Sequence, residues 1–507
     1  MLHIKDLSVY LKTDLRLIID NLNLSIKNKE KLALVGEEGN GKSTLLKAIY
    51  NIDSLKNYAE ITGSINKNTE VISYLEQTLS YKDLLLSTEK YLFDSSSEDF
   101  FDYNLYYELI RDLGFNEKLI KKDVLLKNLS GGERIKFLLL TCLMKRPSIL
   151  LLDEPSNDLD IAGLVWLENF INKSNLTIIY VSHDIELLKN TATSILLFEQ
   201  LNKRRVSKIT YYGVGYIEFK SRYINEFNKL TSLSINEKKR LGNKEEKARK
   251  VYQKVKHAQQ TISRADPAGA KNLKDKMHVV KAHNKLLEKE RKNLTKKPDK
   301  EESLNIIFPD IYYPVSKEVI NISILKLYAG DNLLSENIHL TINGPKKVAI
   351  TGSNGVGKTT LLKEIIKELD KKHVNYGYMP QIYLDELNID TSVVDYLSSS
   401  YTKSEHTKII SYLASLNFNL EETAHSLLSL SGGQKAKVFF VKMLLMSPSI
   451  LLLDEPTRNL SSKSNTAIKE ALKLFKGPVI FISHDREFTD YICTDKYILK
   501  KTGLYLV

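Results

Sequence analysis

The sequence predicts an α/β fold in which two tandem nucleotide-binding domains are joined by an α-helical coiled-coil hairpin linker. Three observations carry that expectation. An ordered set of phosphate-site motifs occurs twice, each set sits in alternating strand and helix patterns, and a basic heptad-patterned segment lies between them.

The first set reads GEEGNGKST (36–44), Gln77, LSGGE (129–133), ILLLDEP (149–155) and VSHD (181–184). The second reads GSNGVGKTT (352–360), Gln381, LSGGQ (430–434), ILLLDEP (450–456) and ISHD (482–485). Ser130 and Ser431, Asp153 and Asp454, and His183 and His484 are each 301 residues apart, whereas Gly36 and Gly352 are 316 apart. The second copy is therefore shorter by the difference, all of it lost between the glycine-rich loop and LSGG. KLALVG and KVAITG lead into the glycine-rich loops as strands. ILLLDEP and TIIYVSHD read as buried parallel strands with polar groups at their C-terminal ends, where such sheets place ligands. Between Gln77 and Ser130 lie 52 residues, and between Gln381 and Ser431 lie 49, enough for a small helical subdomain in each copy.

Each glycine-rich loop has the chemistry of a phosphate cradle. It comprises Gly36, Glu37, Glu38, Gly39, Asn40, Gly41, Lys42, Ser43 and Thr44 in the first copy. The second has Gly352, Ser353, Asn354, Gly355, Val356, Gly357, Lys358, Thr359 and Thr360. Glycines let backbone N–H groups point at phosphates, and the following helix adds its positive end. Lys42 and Lys358 neutralise phosphate charge, and Ser43 and Thr359 offer hydroxyl ligands to Mg²⁺. Asp153 and Asp454 end hydrophobic strands and are expected to hold Mg²⁺ through water. Glu154 and Glu455 follow directly, placed to polarise an attacking water. His183 and His484 are expected to face the γ-phosphate, and Gln77 and Gln381 to reach the metal and the water. The expected cofactors are ATP and Mg²⁺.

The whole ordered set resembles that of ABC ATPases. The LSGG serine and glycines, Ser130, Gly131 and Gly132 in one copy and Ser431, Gly432 and Gly433 in the other, belong at a helix N-terminus and can bind a γ-phosphate only from the opposite cassette. Two composite sites follow. One joins Lys42, Glu154 and His183 to Ser431 and Gly433, and the other joins Lys358, Glu455 and His484 to Ser130 and Gly132. The expected assembly is a monomer with an intramolecular cassette dimer that ATP closes and hydrolysis opens. Tyr10 and Tyr328, upstream of the two loops, are candidates for stacking on adenine, with ordinary strand packing the competing reading. The copies also differ. Asn354 is matched by Glu38, and the loop after ILLLDEP carries Asp160 in one copy and Ser461 in the other. Both departures fall on the composite site built on Lys42, which is expected to turn over more slowly.

Composition narrows the rest. Two cysteines, Cys142 and Cys493, are too few for a disulfide framework, an iron–sulfur cluster or a cysteine zinc site. No run approaches the roughly 18 apolar residues of a membrane span, and MLHIKDLSVYL reads as a strand rather than a leader. The expectation is a soluble, cytoplasmic chain with no membrane partner. Of the net charge of +12, nearly all sits between Tyr223 and Glu302, which hold 22 Lys and Arg against 11 Asp and Glu. A one-sided basic segment points to a polyanion, most simply nucleic acid.

That segment carries Phe227, Leu230, Leu241, Ala248, Val251, Val255, Ala258 and Ile262 on a three/four spacing. After a break at 263–269, which contains Pro267 and Gly269, it continues with Leu273, Met277, Val280, Leu287 and Leu294. This predicts a two-helix antiparallel hairpin with a first helix on the order of 60 Å. The expected domains are 1–216, a linker over 217–303 with its tip at about 261–273, and 304–507.

Two complete cassettes joined by a basic hairpin resemble the ABC-F translation factors, and YYGVGYIEFKSRY (211–223) is similar to the segment that closes the first cassette in that family. The resemblance covers essentially the whole chain. It implies binding at the ribosomal tRNA exit site in the ATP-bound form, with 23S rRNA and the exit-site and peptidyl-site tRNAs as partners. Arg264, Lys271, Lys274 and Lys276 at or near the tip are the candidate RNA contacts. The absence of a sizeable insertion in the first cassette, and a chain ending 23 residues after His484, resemble the antibiotic-resistance ribosome-protection group of the Lsa/Vga type. That group acts against lincosamides, pleuromutilins and streptogramin A. A housekeeping ABC-F factor relieving stalled ribosomes is the alternative, and the tandem ATPase subunit of a transporter is the alternative of another class.

Overall fold

The computed structural model describes every residue except 13–15, 38, 78, 96–100, 158, 202–205, 262–266, 293–312, 382–386, 388, 417, 419, 431 and 458–461. The chain divides into two compact units, Met1–Tyr216 with Ser303–Val507, and Ile217–Glu302. The first unit contains both motif sets.

Each motif set is built on a six-stranded sheet of the same order. In the first copy the order is Ile72–Leu75, Ile149–Asp153, Thr177–Val181, Lys31–Gly36, Ser194–Leu201 and Val206–Tyr212. In the second it is Tyr376–Met379, Ile450–Asp454, Val479–Ile482, Lys347–Thr351, Asp495–Lys500 and Gly503–Leu506. The first five strands of each sheet are parallel and the sixth returns antiparallel. ILLLD is buried at all five positions in both copies, as continuous apolar runs in a helix-covered parallel sheet should be. The predicted strands KLALVG, ILLLD and TIIYV all form.

The shorter second copy has a structural cause. The first cassette carries an antiparallel sheet of Leu17–Ile26, Leu2–Leu11 and Ala59–Asn66. Its counterpart among the described residues has only Glu318–Ala329 and Asn332–Asn343. From Lys42 to Ile72 the chain advances 30 positions, but from Lys358 to Tyr376 only 18. The Lys358–Lys371 helix runs almost directly into the next parallel strand, and the stretch matching Ala59–Asn66 is missing.

In the second unit, helices Tyr216–Thr261 and Pro267–Lys292 form the hairpin. The first has 46 residues. Its length is roughly 70 Å, taking an α-helical rise of about 1.5 Å per residue. Antiparallel pairing is explicit: Lys244 Nζ lies 2.9 Å from Glu290 Oε2, and Gln259 Nε2 donates to the Leu273 carbonyl at 3.1 Å. Leu241, Ala248 and Leu287 form its buried cluster, with Met277 also buried.

Two details of the hairpin differ from the expectation. Leu230 and Val251 are exposed, while Thr231 and Tyr252 are half-buried, so the seam runs one residue later at those turns. A three/four spacing admits either neighbour, and packing against the partner helix decides between them. Pro267 and Gly269 do not lie in a break but in the first turn of the second helix. Proline suits that position because its missing N–H would have no intrahelical partner there. Ile262, Arg264 and Leu294 lie outside the described residues, as do most of the predicted break and the return to the second cassette.

Candidate functional site

The two glycine-rich loops are held by the strands behind them. Gly41 and Gly357 have φ of 94° and 103°, a backbone region that favours glycine. A Cβ on Gly41 would come within 2.0 Å of Ile18 Cγ2, and one on Gly357 within 3.1 Å of Leu327 and Leu334. The antiparallel hairpins that carry Tyr10 and Tyr328 therefore pack on the loops. Both tyrosines are exposed, at 38% and 47%. On the opposite edge, a Cβ at Gly39 or Gly355 would meet nothing within 4 Å, so the cradle is open where a phosphate chain would lie. Arg16 Nη2 reaches the Gly39 carbonyl at 3.5 Å.

Both lysines curl over their own loops. Lys42 Nζ donates to the carbonyls of Gly36 at 2.7 Å and Glu37 at 2.8 Å. Lys358 Nζ donates to those of Gly352 at 2.8 Å and Ser353 at 3.0 Å. Burial lowers the Lys358 pKa, and the carboxylates of Glu455, Asp160 and Asp454 oppose that shift. Ser43 Oγ donates to Asp153 Oδ1 at 3.0 Å, and Thr359 Oγ1 donates to Asp454 Oδ2 at 2.7 Å. Burial raises the Asp153 pKa, opposed by hydrogen bonds from Ser43 and Tyr74. One hydroxyl and one carboxylate brought together beside a phosphate cradle are what an Mg²⁺ completed by phosphate oxygens and water requires. Ser43 with Asp153, and Thr359 with Asp454, would hold it. Among the described residues no cluster of three or more His, Cys, Asp or Glu forms a metal cage of its own.

Glu154 and Glu455 stand at φ of 51° and 52°. This is the left-handed region, which a non-glycine residue adopts at a cost of about 1–3 kcal/mol. The fold fixes them there through Glu154 N–H to the Val181 carbonyl at 3.1 Å and Glu455 N–H to the Ile482 carbonyl at 2.9 Å. The turn carries each carboxylate to its histidine: His183 Nε2 is 3.1 Å from Glu154 Oε1, and His484 Nε2 is 3.5 Å from Glu455 Oε1. Burial, followed by the charge of Lys42, pushes His183 down to about 3. Its ring is then neutral near pH 7, so the contact is not an ion pair there. Sequence reasoning paired these residues by motif but gave no sign of the backbone conformation that joins them.

Ser130 caps the helix Gly131–Leu143 and forms a capping box with Glu133, whose carboxylate accepts from the Ser130 N–H at 2.9 Å. The second signature helix is Gly432–Leu445, containing Gly433. Ser431, Glu38 and Ser461 lie outside the described residues. Gln77 and Gln381 both follow strands paired with the ILLLD strands.

Among the described residues, two charged contacts join the helix Ile161–Lys173 and its cap to the other cassette. Asp160 caps the helix Ile161–Lys173, its Oδ1 accepting from the Gly163 N–H at 2.8 Å. Its Oδ2 accepts from the Asn354 N–H of the other cassette's glycine-rich loop at 3.3 Å. Farther along the same helix, Glu168 Oε1 is 3.3 Å from Arg486 Nη1. The first contact is the loop-to-loop meeting that a head-to-tail arrangement predicts. Neither Glu168 nor Arg486 was singled out by the motifs, and neither was Tyr74, whose OH donates to Asp153 Oδ2 at 3.0 Å.

The sequence model of the family described as ABC transporter matches residues 19–157 and 335–458. The chain belongs to the ABC transporter family. ATP hydrolysis is thereby supported at the level of that family, whose cassettes normally bind ATP with Mg²⁺. The chain is 26% identical to Protein GCN20 of Saccharomyces cerevisiae over 98% of its own length and 69% of that protein. It is 28% identical to the ATP-binding protein Uup of Buchnera aphidicola over 96% of its length and 79% of that protein. It is 26% identical to human ATP-binding cassette sub-family F member 3 over 96% of its length and 70% of that protein. The tandem ABC fold is shared with the archaeal ribosome recycling factor solved with a ribosomal stalk protein, at a TM-score of 0.61, 16% identity, and coverage of 98% of this chain and 89% of that one. Among the described residues no helix is long and apolar enough to cross a membrane.

Proposed function

We propose that this ABC ATPase is a cytoplasmic ribosome-binding ABC-F factor whose ATP-closed cassettes present the basic hairpin to ribosomal and transfer RNA. The observation that carries this reading is the hairpin. Its two helices span Tyr216–Thr261 and Pro267–Lys292, and Lys271, Lys274 and Lys276 on the second are all exposed. Lysines and arginines in such numbers neutralise phosphates and give affinity with little sequence reading. The family likeness supplies the partner: sub-family F proteins match along nearly the whole chain, and a protein of the same fold is named as a ribosome recycling factor. The site of action is the tRNA exit site, with 23S rRNA and the exit-site and peptidyl-site tRNAs as contacts.

The finer reading is protection of the peptidyl-transferase centre against lincosamides, pleuromutilins and streptogramin A. Exposed lysines near the tip favour an indirect effect, through displaced tRNA or rRNA, over direct filling of an apolar drug pocket. The chemistry is phosphoryl transfer to water at two composite sites, each made of a lysine, an Mg²⁺-holding hydroxyl and aspartate, and a Glu–His pair. The bound nucleotide supplies the γ-phosphate to be cleaved, and the protein's groups orient water and neutralise charge.

The test is drug susceptibility of a sensitive bacterium expressing this chain or its Glu154→Gln/Glu455→Gln variant. Raised resistance to these three classes, lost in the variant, is the expected result. No protection against any of them overturns the resistance reading and leaves the housekeeping factor.

A further inference from the structure

The helix Ile161–Lys173 touches the opposite cassette at two charged contacts, through Asp160 at the Asn354 N–H and through Glu168 at Arg486. Arg486 lies two residues beyond His484 and opens the helix Arg486–Ile492, which Asp485 caps by accepting from the Phe488 N–H at 2.8 Å. Glu168 is anchored on its own side, where Oε2 accepts from Asn190 Nδ2 at 3.0 Å. The pair is largely buried, with side chains 23% and 13% exposed, and among the described residues the Arg486 Nε and Nη2 and the Glu168 Oε1 have no hydrogen-bond partner, so the two are held by charge. Asp184 also attracts Arg486, while Glu168 repels Asp184. Removing either partner would leave a charge that is costly to keep buried.

The constant spacing of 301 allows the mirror contact to be read directly. The counterpart of Glu168 is Lys469, and that of Arg486 is Ile185. No ion pair can form between them, and Lys469 instead lies 3.7 Å from Glu487 of its own cassette.

We infer that Glu168 is a positioning residue for one ATP site: with Arg486 it forms a one-sided strut that fixes the His484 loop of the second cassette against the first. One rigid helix then touches both the glycine-rich loop and the histidine loop of the composite site built on Lys358. Among the described residues the site built on Lys42 has no such strut. This rests on the reading of Glu154 and Glu455 as the hydrolytic groups, and the experiment separates the two.

The first-turnover rate of phosphate release is measured in a Glu154→Gln background, where only the Lys358 site hydrolyses, and in a Glu455→Gln background, where only the Lys42 site does. If neither background loses one site's burst, the hydrolytic assignment fails, whatever Glu168 does. With that assignment intact, adding Glu168→Gln slows release about tenfold in the Glu154→Gln background and less than about twofold in the other. Arg486→Gln behaves the same way, and Arg486→Lys recovers most of the rate. Equal slowing in both backgrounds, with a matching fall in the melting midpoint, overturns the proposal as mere interface stability. No slowing in either, or no recovery with lysine, overturns it as well.

Discussion

At the scale of single residues, chemistry is set by backbone conformation as much as by side-chain identity. Glu154 and Glu455 reach His183 and His484 only because their backbones turn left-handed. The two are nonetheless set in unequal surroundings. Asp160 reaches the second glycine-rich loop, whereas the residue at the matching sequence position of the second copy is the shorter, uncharged Ser461. Glu455→Gln should therefore lower steady-state ATP hydrolysis more than Glu154→Gln. A larger loss from Glu154→Gln would reverse the assignment of the slower site.

His183 provides a pH test. In the unfolded chain it takes up a proton below about 6.5, whereas in the fold burial pushes it down to about 3. Between those values the unfolded state binds more protons, so its contribution to stability is complete above the upper value and is lost as pH falls toward the lower. Urea midpoints of the nucleotide-free protein should fall as pH is lowered from about 7.5 to about 5, and His183→Asn should flatten part of that fall.

At the scale of elements, the parallel strands and the two linker helices were legible because their signals are local: continuous apolar runs, glycine loops and a seven-residue repeat. What the sequence did not reveal depends on packing. The seam at Thr231 and Tyr252 rather than Leu230 and Val251 is decided by the partner helix, and the start of the second helix at Pro267 is decided by which N–H groups need partners. The Ser43–Asp153 and Thr359–Asp454 pairs were anticipated from motif order, whereas Tyr74 on Asp153 was not, since a tyrosine in a strand carries no signal of its own.

Asp160 joins element and site. It caps the helix Ile161–Lys173 with one oxygen and meets Asn354 with the other. Asp160→Ala should lower stability by about 1 kcal/mol through the lost cap and also slow hydrolysis. Asp160→Asn should keep the cap and melting midpoint, since asparagine caps as well as aspartate, but still slow hydrolysis. Full activity in Asp160→Asn would show that the charge has no part in the site.

At the scale of the whole molecule, the duplicated motifs account for ATP and for two cassettes that meet, while the segment without ATPase motifs carries the functional choice. The basic hairpin favours an RNA partner, and long-range attraction to phosphates is strongly screened by salt. Sedimentation of the Glu154→Gln/Glu455→Gln variant with ribosomes tests this account most directly. Losing both carboxylates proposed to act in hydrolysis, while keeping the lysines and the proposed Mg²⁺ ligands, should hold the cassettes closed on ATP. The variant should pellet with ribosomes when ATP is present, fail to do so without it, and lose affinity steeply as salt rises. Equal sedimentation with and without ATP, or none in either case, would contradict an ATP-gated ribosome clamp.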